Sequence, residues 1–223
     1  MSYLLAMLSD AQRGFVDLLF KREALKFGDF TLKSGRKSPY FINTGCFSNG
    51  GDLARLGSAY GDAIRRAFGE AVDVVFGPAY KGIPLALAAA AEYERLLGRP
   101  VGWTYDRKEA KDHGDGGLFV GATLKPGLKV VVVDDVLTAG TALRESLAKL
   151  RPTGVVVSGA VVAVDRQERG KGAKTAIEEI REELGITVVP IVTISEAADY
   201  LASTGALSAE LRAKIAAHLS AAG

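Results

Sequence analysis

The chain has 223 residues, 48% of them hydrophobic and 24% charged, a length that suits one globular domain with a core of its own. A formal net charge of +2 is too weak to argue for nucleic acid as a partner. The single cysteine, Cys46, excludes an internal disulfide and a cysteine-cluster zinc site and points to a reducing cytoplasm, and no segment approaches the roughly 20 apolar residues of a membrane span.

The N-terminal MSYLLAMLSDAQRG lacks the basic start and the apolar length of a signal peptide. Ser9-Asp10 predicts the cap of a first helix with an apolar stripe of Phe15, Leu18, Leu19 and Leu25. FGDFTLKSGRKSPYFIN reads as two short strands around a Ser-Gly-Arg-Lys-Ser-Pro turn. Asp52 is expected to open a helix with Leu53, Leu56, Tyr60, Ile64 and Phe68 on one face, ended by Gly69. From there strands and helices alternate. Strands are expected at 72–76, 101–105, 129–133, 154–164 and 186–192, and helices at 83–97, 141–150 and 174–184. Ser195 and Ser208 are candidate caps of two final helices.

Strands made almost wholly of Val and Ile are buried on both faces, which implies a parallel sheet covered by helices. The pattern predicts an α/β fold with a doubly wound, mostly parallel sheet flanked by helices. Residues 1–223 form one domain on this reading, in which residues 1–50, outside the alternation, build a small N-terminal cap or hood. Ligands of open parallel sheets bind beyond the carboxyl ends of the strands. FGPAYKG, YDRKEAKDHGDGG, DDVLTAGT and DRQERGKG all follow such ends, which predicts one composite site.

In DDVLTAGT, small residues at Thr138, Ala139, Gly140 and Thr141 enter a helix and offer backbone N–H groups and hydroxyls to a phosphate. Neither GxxxxGK[ST] nor GxGxxG occurs. Asp134 and Asp135 beside that turn would repel a phosphate unless they face something else. Ribose hydroxyls or a hydrated metal ion meet that need. Receiver domains also carry an acid pair at a strand end, but on their first strand, whereas this pair lies past the middle of the chain. RKEAKDHGDGG has no apolar anchor between Tyr105 and Leu118, so residues 106–117 read as a mobile lid. Its Arg107, Lys108, Lys111 and His113 suit a polyanion such as a pyrophosphate, and a closed lid excludes water. FGPAYKG is a tight turn in which Gly77 and Gly82 allow close backbone approach and Lys81 brings a charge to the same edge. SGRKSPYF adds Lys33 just upstream, Arg36 and Lys37, then Tyr40 and Phe41, cations beside aromatics that suit a planar anionic base.

These residues carry a resemblance. VVVVDDVLTAGTA resembles the phosphoribosyl pyrophosphate (PRPP) motif of type I phosphoribosyltransferases, and FTLKSGRKSPYF, FGPAYKGIP, DRKEAKDHG with its trailing glycines and DRQERG resemble the orotate phosphoribosyltransferase family in particular. The resemblance runs from about Phe27 to Gly170. It implies transfer of the phosphoribosyl group from PRPP to orotate, with Mg²⁺, to give orotidine 5′-monophosphate and pyrophosphate in pyrimidine biosynthesis. It further implies that Thr138, Ala139, Gly140, Thr141 and Ala142, with Val136 and Leu137 leading in, hold the 5′-phosphate end of PRPP. Asp134 and Asp135 would hold ribose hydroxyls and orient hydrated Mg²⁺, with no direct protein ligand to the metal assigned. Tyr80 and Lys81 would line the pyrophosphate loop, and Lys33 would reach the reacting region from the cap. Phe41, Ile42, Thr138 and Arg166 would contact orotate; Ile42 stands where many relatives have Phe. Arg107, Lys108, Lys111 and His113 would form a lid that reaches the neighbouring subunit's site, which implies a homodimer. Lys111, His113, Lys33, Asp134 and Asp135 are the catalytic candidates, with His113 a proton donor to pyrophosphate.

Three rival readings fit less well. A phosphoribosyltransferase for another base conflicts with SGRKSPYF, and a non-catalytic PRPP-sensing regulator of nucleic acid conflicts with the near-zero net charge. A bifunctional protein that also decarboxylates the product would need a longer chain. Neither nucleic acid nor membrane is expected as a partner.

Overall fold

In the computed structural model, which describes residues 8–31, 35, 37–111, 117–137, 140–168 and 174–222, helix α1 spans Asp10–Lys21. Ser9 Oγ accepts the Gln12 N–H at 3.2 Å and Gln12 Oε1 accepts the Ser9 N–H at 3.0 Å, a reciprocal cap. The helix buries Phe15, Val16, Leu18 and Leu19. Leu25, expected on the same stripe, is not on it. The helix ends at Arg22, Glu23 takes a positive φ of 54°, and Leu25 opens strand β1 (Leu25–Thr31).

Strand β2 (Lys37–Ile42) returns antiparallel to β1, with Leu25 opposite Ile42 and Phe27 opposite Tyr40. A single 3₁₀ turn at Thr44–Cys46 leads to helix α2 (Gly50–Phe68). Asp52 does not open that helix. Asn49 does, its side-chain oxygen accepting the Asp52 N–H at 3.0 Å. Asp52 is instead a buried carboxylate held by Arg22 Nε at 2.9 Å.

The core follows as β3 (Val74–Gly77), α3 (Gly82–Leu97), β4 (Gly102–Lys111), β5 (Gly117–Gly121), β6 (Lys129–Val136), α4 (Thr141–Leu150), β7 (Val156–Asp165), α5 (Ala176–Leu184), β8 (Thr187–Thr193), α6 (Ile194–Ser203) and α7 (Ala209–Ala222). The sheet order is β5-β4-β3-β6-β7-β8, parallel throughout except for β5, which runs antiparallel on β4. The sequence pattern missed β5, because five residues flanked by glycines show no clear period. It also stopped β4 too early. Residues 106–111, expected to be loop, continue the strand, and residues 112–116 lie outside the described residues.

The valines of β6 divide by parity, as a strand buried on both faces requires. Val131 and Val133 pack with α1, α2, α3 and α6 on one face. Val130 and Val132 pack with Leu143 and Leu147 of α4 and Ile177 and Ile180 of α5 on the other. Thr193, not Ser195, caps α6, its hydroxyl accepting the Glu196 N–H at 3.2 Å. Ser195 instead donates its N–H to Gln167 Oε1 at 2.9 Å. Ser208 does cap the last helix, through the Leu211 N–H at 3.2 Å. His218 on that helix stands edge-on to the Tyr40 ring, centroids 5.9 Å apart.

Chain order along the sheet reverses between β3 and β6. From β3 the chain moves to β4 on one side, and from β6 to β7 and β8 on the other. The two connections diverge there and leave a crevice at the carboxyl ends.

Candidate active site

At that crevice β3 delivers the turn 78–81. A Cβ on Gly77 would lie 2.0 Å from the Gly82 carbonyl oxygen, so only glycine lets the turn close this tightly. The closure leaves Tyr80 69% exposed. Lys108 Nζ, from β4, sits 5.3 Å above its ring.

Strand β6 delivers the acid pair into the same crevice. Lys81 Nζ reaches Asp135 Oδ2 at 3.0 Å, and Thr44 of the 3₁₀ turn after β2 donates its hydroxyl to the same oxygen at 2.7 Å. Asp135 Oδ1 accepts the Val136 N–H at 2.7 Å. Burial by itself would raise the Asp135 carboxyl, but the bonds from Thr44, Val136 and Lys81 outweigh it and hold the group below its usual value. Asp134 behaves oppositely. Burial pushes it to about 6, the neighbouring Asp135 charge adds to that, and the Asp135 N–H at 2.9 Å opposes it. Adjacent carboxylates thus differ because Asp135 has gathered donors from Thr44, Lys81 and Val136 while Asp134 accepts only the Asp135 N–H among the described residues. The Asp134 main chain is held from below, where the buried Tyr60 donates its hydroxyl to the Asp134 carbonyl at 2.8 Å.

Val136 and Leu137 are half-buried and lead toward α4. Gly140 precedes the helix at φ 70°, and a Cβ there would sit 2.1 Å from Ile180 Cδ1. Among the described residues no side chain caps α4, and Thr141 and Ala142 are exposed in its first turn. The helix therefore presents its N-terminal N–H groups and its positive dipole end to the crevice.

Strand β7 delivers Asp165 and the turn 166–168. Arg166 binds Glu168 Oε1 through Nη2 at 2.7 Å and Nε at 3.2 Å, and its guanidinium lies 5.6 Å from the centre of the Tyr40 ring. The Tyr40 hydroxyl lies 2.8 Å from both the Arg166 carbonyl and Glu168 Oε1, each able to accept its one proton. Burial first, then the Glu168 charge, hold the Tyr40 phenol well above its usual value, so it stays a donor.

The structure therefore brings Tyr80, Lys81, Lys108, Asp134, Asp135, Gly140, Thr141 and Arg166 to adjacent strand ends. Phe41 is exposed and packs on Phe30 at 5.7 Å between ring centres, while Ile42 leans on the main core. Arg107 follows the buried Asp106 on β4 and is half-buried. Lys33, His113, Thr138 and Ala139 and the side chain of Lys111 lie outside the described residues. Sequence reasoning assigned no site role of their own to Thr44, Tyr60, Asp106 or Glu168, although it placed Tyr60 on an apolar helix face and Asp106 at the start of the lid. Glu168 stood inside the quoted DRQERG, but nothing local marks a threonine 91 residues from its carboxylate.

A cavity of about 450 Å³ opens beside the pair, lined by Thr44, Phe47, Leu53, Lys81, Pro84 and Asp135 among others. Among the described residues no group of three or more His, Cys, Asp or Glu side chains is arranged to hold a metal ion. No described helix is long and apolar enough to cross a membrane.

Comparison with known proteins agrees with this geometry. A family model described as phosphoribosyl transferase domain matches residues 53–192. An orotate phosphoribosyltransferase of Thioalkalivibrio sulfidiphilus is 48% identical over 202 residues, 91% of this chain and 93% of that protein. The 1.9 Å crystal structure of the orotate phosphoribosyltransferase of Francisella tularensis superposes with a TM-score of 0.79 at 36% identity, covering 92% of this chain and 96% of that one. The Mycobacterium tuberculosis orotate phosphoribosyltransferase in complex with PRPP, at 23% identity and a TM-score of 0.59, shares the fold and covers 84% of this chain.

Proposed function

The chain belongs to the orotate phosphoribosyltransferase family, and on that premise we propose that its crevice transfers the phosphoribosyl group of PRPP to orotate, giving orotidine 5′-monophosphate and pyrophosphate. The observation that carries the assignment of the site is the meeting of Lys81 and Asp135 at the switch point, beside the start of α4.

The 5′-phosphate docks on the N–H groups and hydroxyls of the turn from Thr138 to Ala142. Asp134 and Asp135 take the ribose hydroxyls. Tyr80, Lys81, Arg107, Lys108, Lys111 and His113 surround the pyrophosphate. Phe41, Ile42, Thr138 and Arg166 contact orotate, and Lys33 approaches the reacting atoms from the hairpin side. Hard, partly hydrated oxygen donors are what Mg²⁺ prefers, and it keeps several waters when bound. Two carboxylates beside a pyrophosphate site fit an ion held mainly by the substrate, with Asp134 and Asp135 ordering its water shell. When bound it supplies charge neutralisation on the leaving group.

In the reaction a ring nitrogen of orotate forms a bond to the anomeric carbon and releases its N–H proton to solvent, as the bond to the pyrophosphate oxygen breaks and its electron pair leaves with that oxygen. The acid pair and the phosphate turn fix the sugar. The lid cations meet charge as it grows on pyrophosphate, and His113 gives it a proton. The β4–β5 ribbon beyond Asp106, which carries the lid cations, reaches over the neighbouring subunit's site in a homodimer, and the enzyme works in the cytoplasm.

The test follows orotate absorbance after adding PRPP and Mg²⁺ to the purified protein. Absorbance should fall only when all three are present. Unchanged orotate under those conditions overturns the assignment.

A further inference from the structure

Asp106 on β4 is 5% exposed, a depth at which a carboxylate needs partners. Its two oxygens are divided between two other elements. Oδ1 accepts the Ala79 N–H at 2.8 Å, and Oδ2 accepts from the ammonium of Lys149. Ala79 lies in the turn 78–81 that carries Tyr80 and Lys81. Lys149 lies on α4, the helix that starts at the phosphate turn. The residue after Asp106 is Arg107, the first lid cation.

The turn's backbone–backbone hydrogen bonds are local, from Gly82 N–H to the Pro78 carbonyl at 2.9 Å and from Ile83 N–H to the Tyr80 carbonyl at 3.3 Å. Asp106 gives the turn a tie into the neighbouring strand. With Ala79 N–H drawn inward, Tyr80 and the Lys81 side chain, each 69% exposed, face the crevice. Lys149 neutralises the carboxylate, which would otherwise repel an incoming pyrophosphate.

We propose that Asp106 is the positioning residue for the pyrophosphate end of the site. It holds the 78–81 turn through Ala79 and ties that turn to α4 through Lys149. The inference rests on the phosphoribosyl-transfer reading above.

Its test compares the parent protein with Asp106→Ala and Asp106→Asn. The measurements are KM for PRPP, KM for orotate, and calorimetric binding of pyrophosphate with Mg²⁺ alone. Asp106→Ala should raise KM for PRPP and weaken pyrophosphate binding by about tenfold, with KM for orotate within about twofold. Asp106→Asn keeps an oxygen for Ala79 N–H, and Lys149, 32% exposed, can turn to water. That variant should recover most of the loss, and it carries the test if the alanine variant fails to fold. A parallel rise in both KM values, or pyrophosphate bound as tightly by Asp106→Ala as by the parent, overturns the role of Asp106. A parent that binds pyrophosphate but does not consume orotate overturns the transfer reading instead.

Discussion

Lys81 and Asp135, 54 residues apart in the chain, meet at 3.0 Å across the point where the sheet order reverses. The Lys81 side chain is 69% exposed, and an ion pair so open to water adds little to stability. Its effect is electrostatic, because it sets a positive charge between the acid pair and an arriving polyanion. Lys81→Met should therefore raise KM for PRPP about tenfold while changing the folding free energy by less than about 1 kcal/mol. Steady-state kinetics and urea unfolding check both halves. A large loss of stability with an unchanged KM would refute the assignment.

Asp134 makes stability depend on pH. Its carboxyl stands at about 6 in the folded chain against 3.8 in the reference state. Below about pH 4 the group is protonated in both states. Between about 4 and 6 the folded chain keeps a proton that the unfolded chain has released, so stability falls as pH rises through this window and then levels off. Asp134→Asn should remove that slope and stabilise the protein at pH 7 by at most about 3 kcal/mol. Urea unfolding at several pH values reads it directly, and an unaltered slope would rule out burial of this carboxyl as the cause.

Gly77→Ala should be costly. Its Cβ would meet backbone atoms, the Gly82 carbonyl oxygen at 2.0 Å and its carbon at 2.5 Å, which cannot swing aside as a side chain can. A loss of about 2–4 kcal/mol in thermal or chemical unfolding is expected. A variant as stable as the parent would mean that the turn has another way to close.

Tyr40→Phe keeps the packing on His218 and removes the hydroxyl shared by the Arg166 carbonyl and Glu168. Loss of one buried hydrogen bond should cost about 1 kcal/mol of stability. Because Arg166 is the proposed orotate contact, KM for orotate should rise severalfold with KM for PRPP unchanged. Equal effects on both substrates would show that the hydroxyl serves the fold alone.

Sharing of the lid predicts complementation. A Lys111→Ala chain mixed with an Asp135→Asn chain should regain activity, because each mixed dimer holds one site with both residues intact. Verified heterodimers with no regained activity would exclude a lid that crosses between subunits.

Much of this was legible in the sequence for a local reason. The Val runs of β6 and β7, the α4 boundaries and the Ser9 cap depend on neighbours within a few residues, and there the structure follows the sequence. Local periodicity failed where a distant strand decides the outcome. Residues 106–111 are polar and look like loop, yet they continue β4, with Asp106 opposite Phe119 and Lys111 opposite Gly117 on β5. Leu25 fits a helical stripe, but pairing with Ile42 claims it for the hairpin.

The same division holds for the site. The residue types and their order along the chain, above all Asp134-Asp135 followed by small residues, pointed to one composite site at the strand ends and, through the family resemblance, to PRPP and orotate as its expected ligands. Only the tertiary structure decided how those groups are paired. Asp135 is held low by Thr44 and Lys81, and Arg166 is held by Glu168 and Tyr40. Asp106 links β4, the 78–81 turn and α4. Hydrogen bonds and charge pairs act over about 3 Å, and that proximity is created when the chain folds, so residues tens of positions apart carry no mark of it in the sequence.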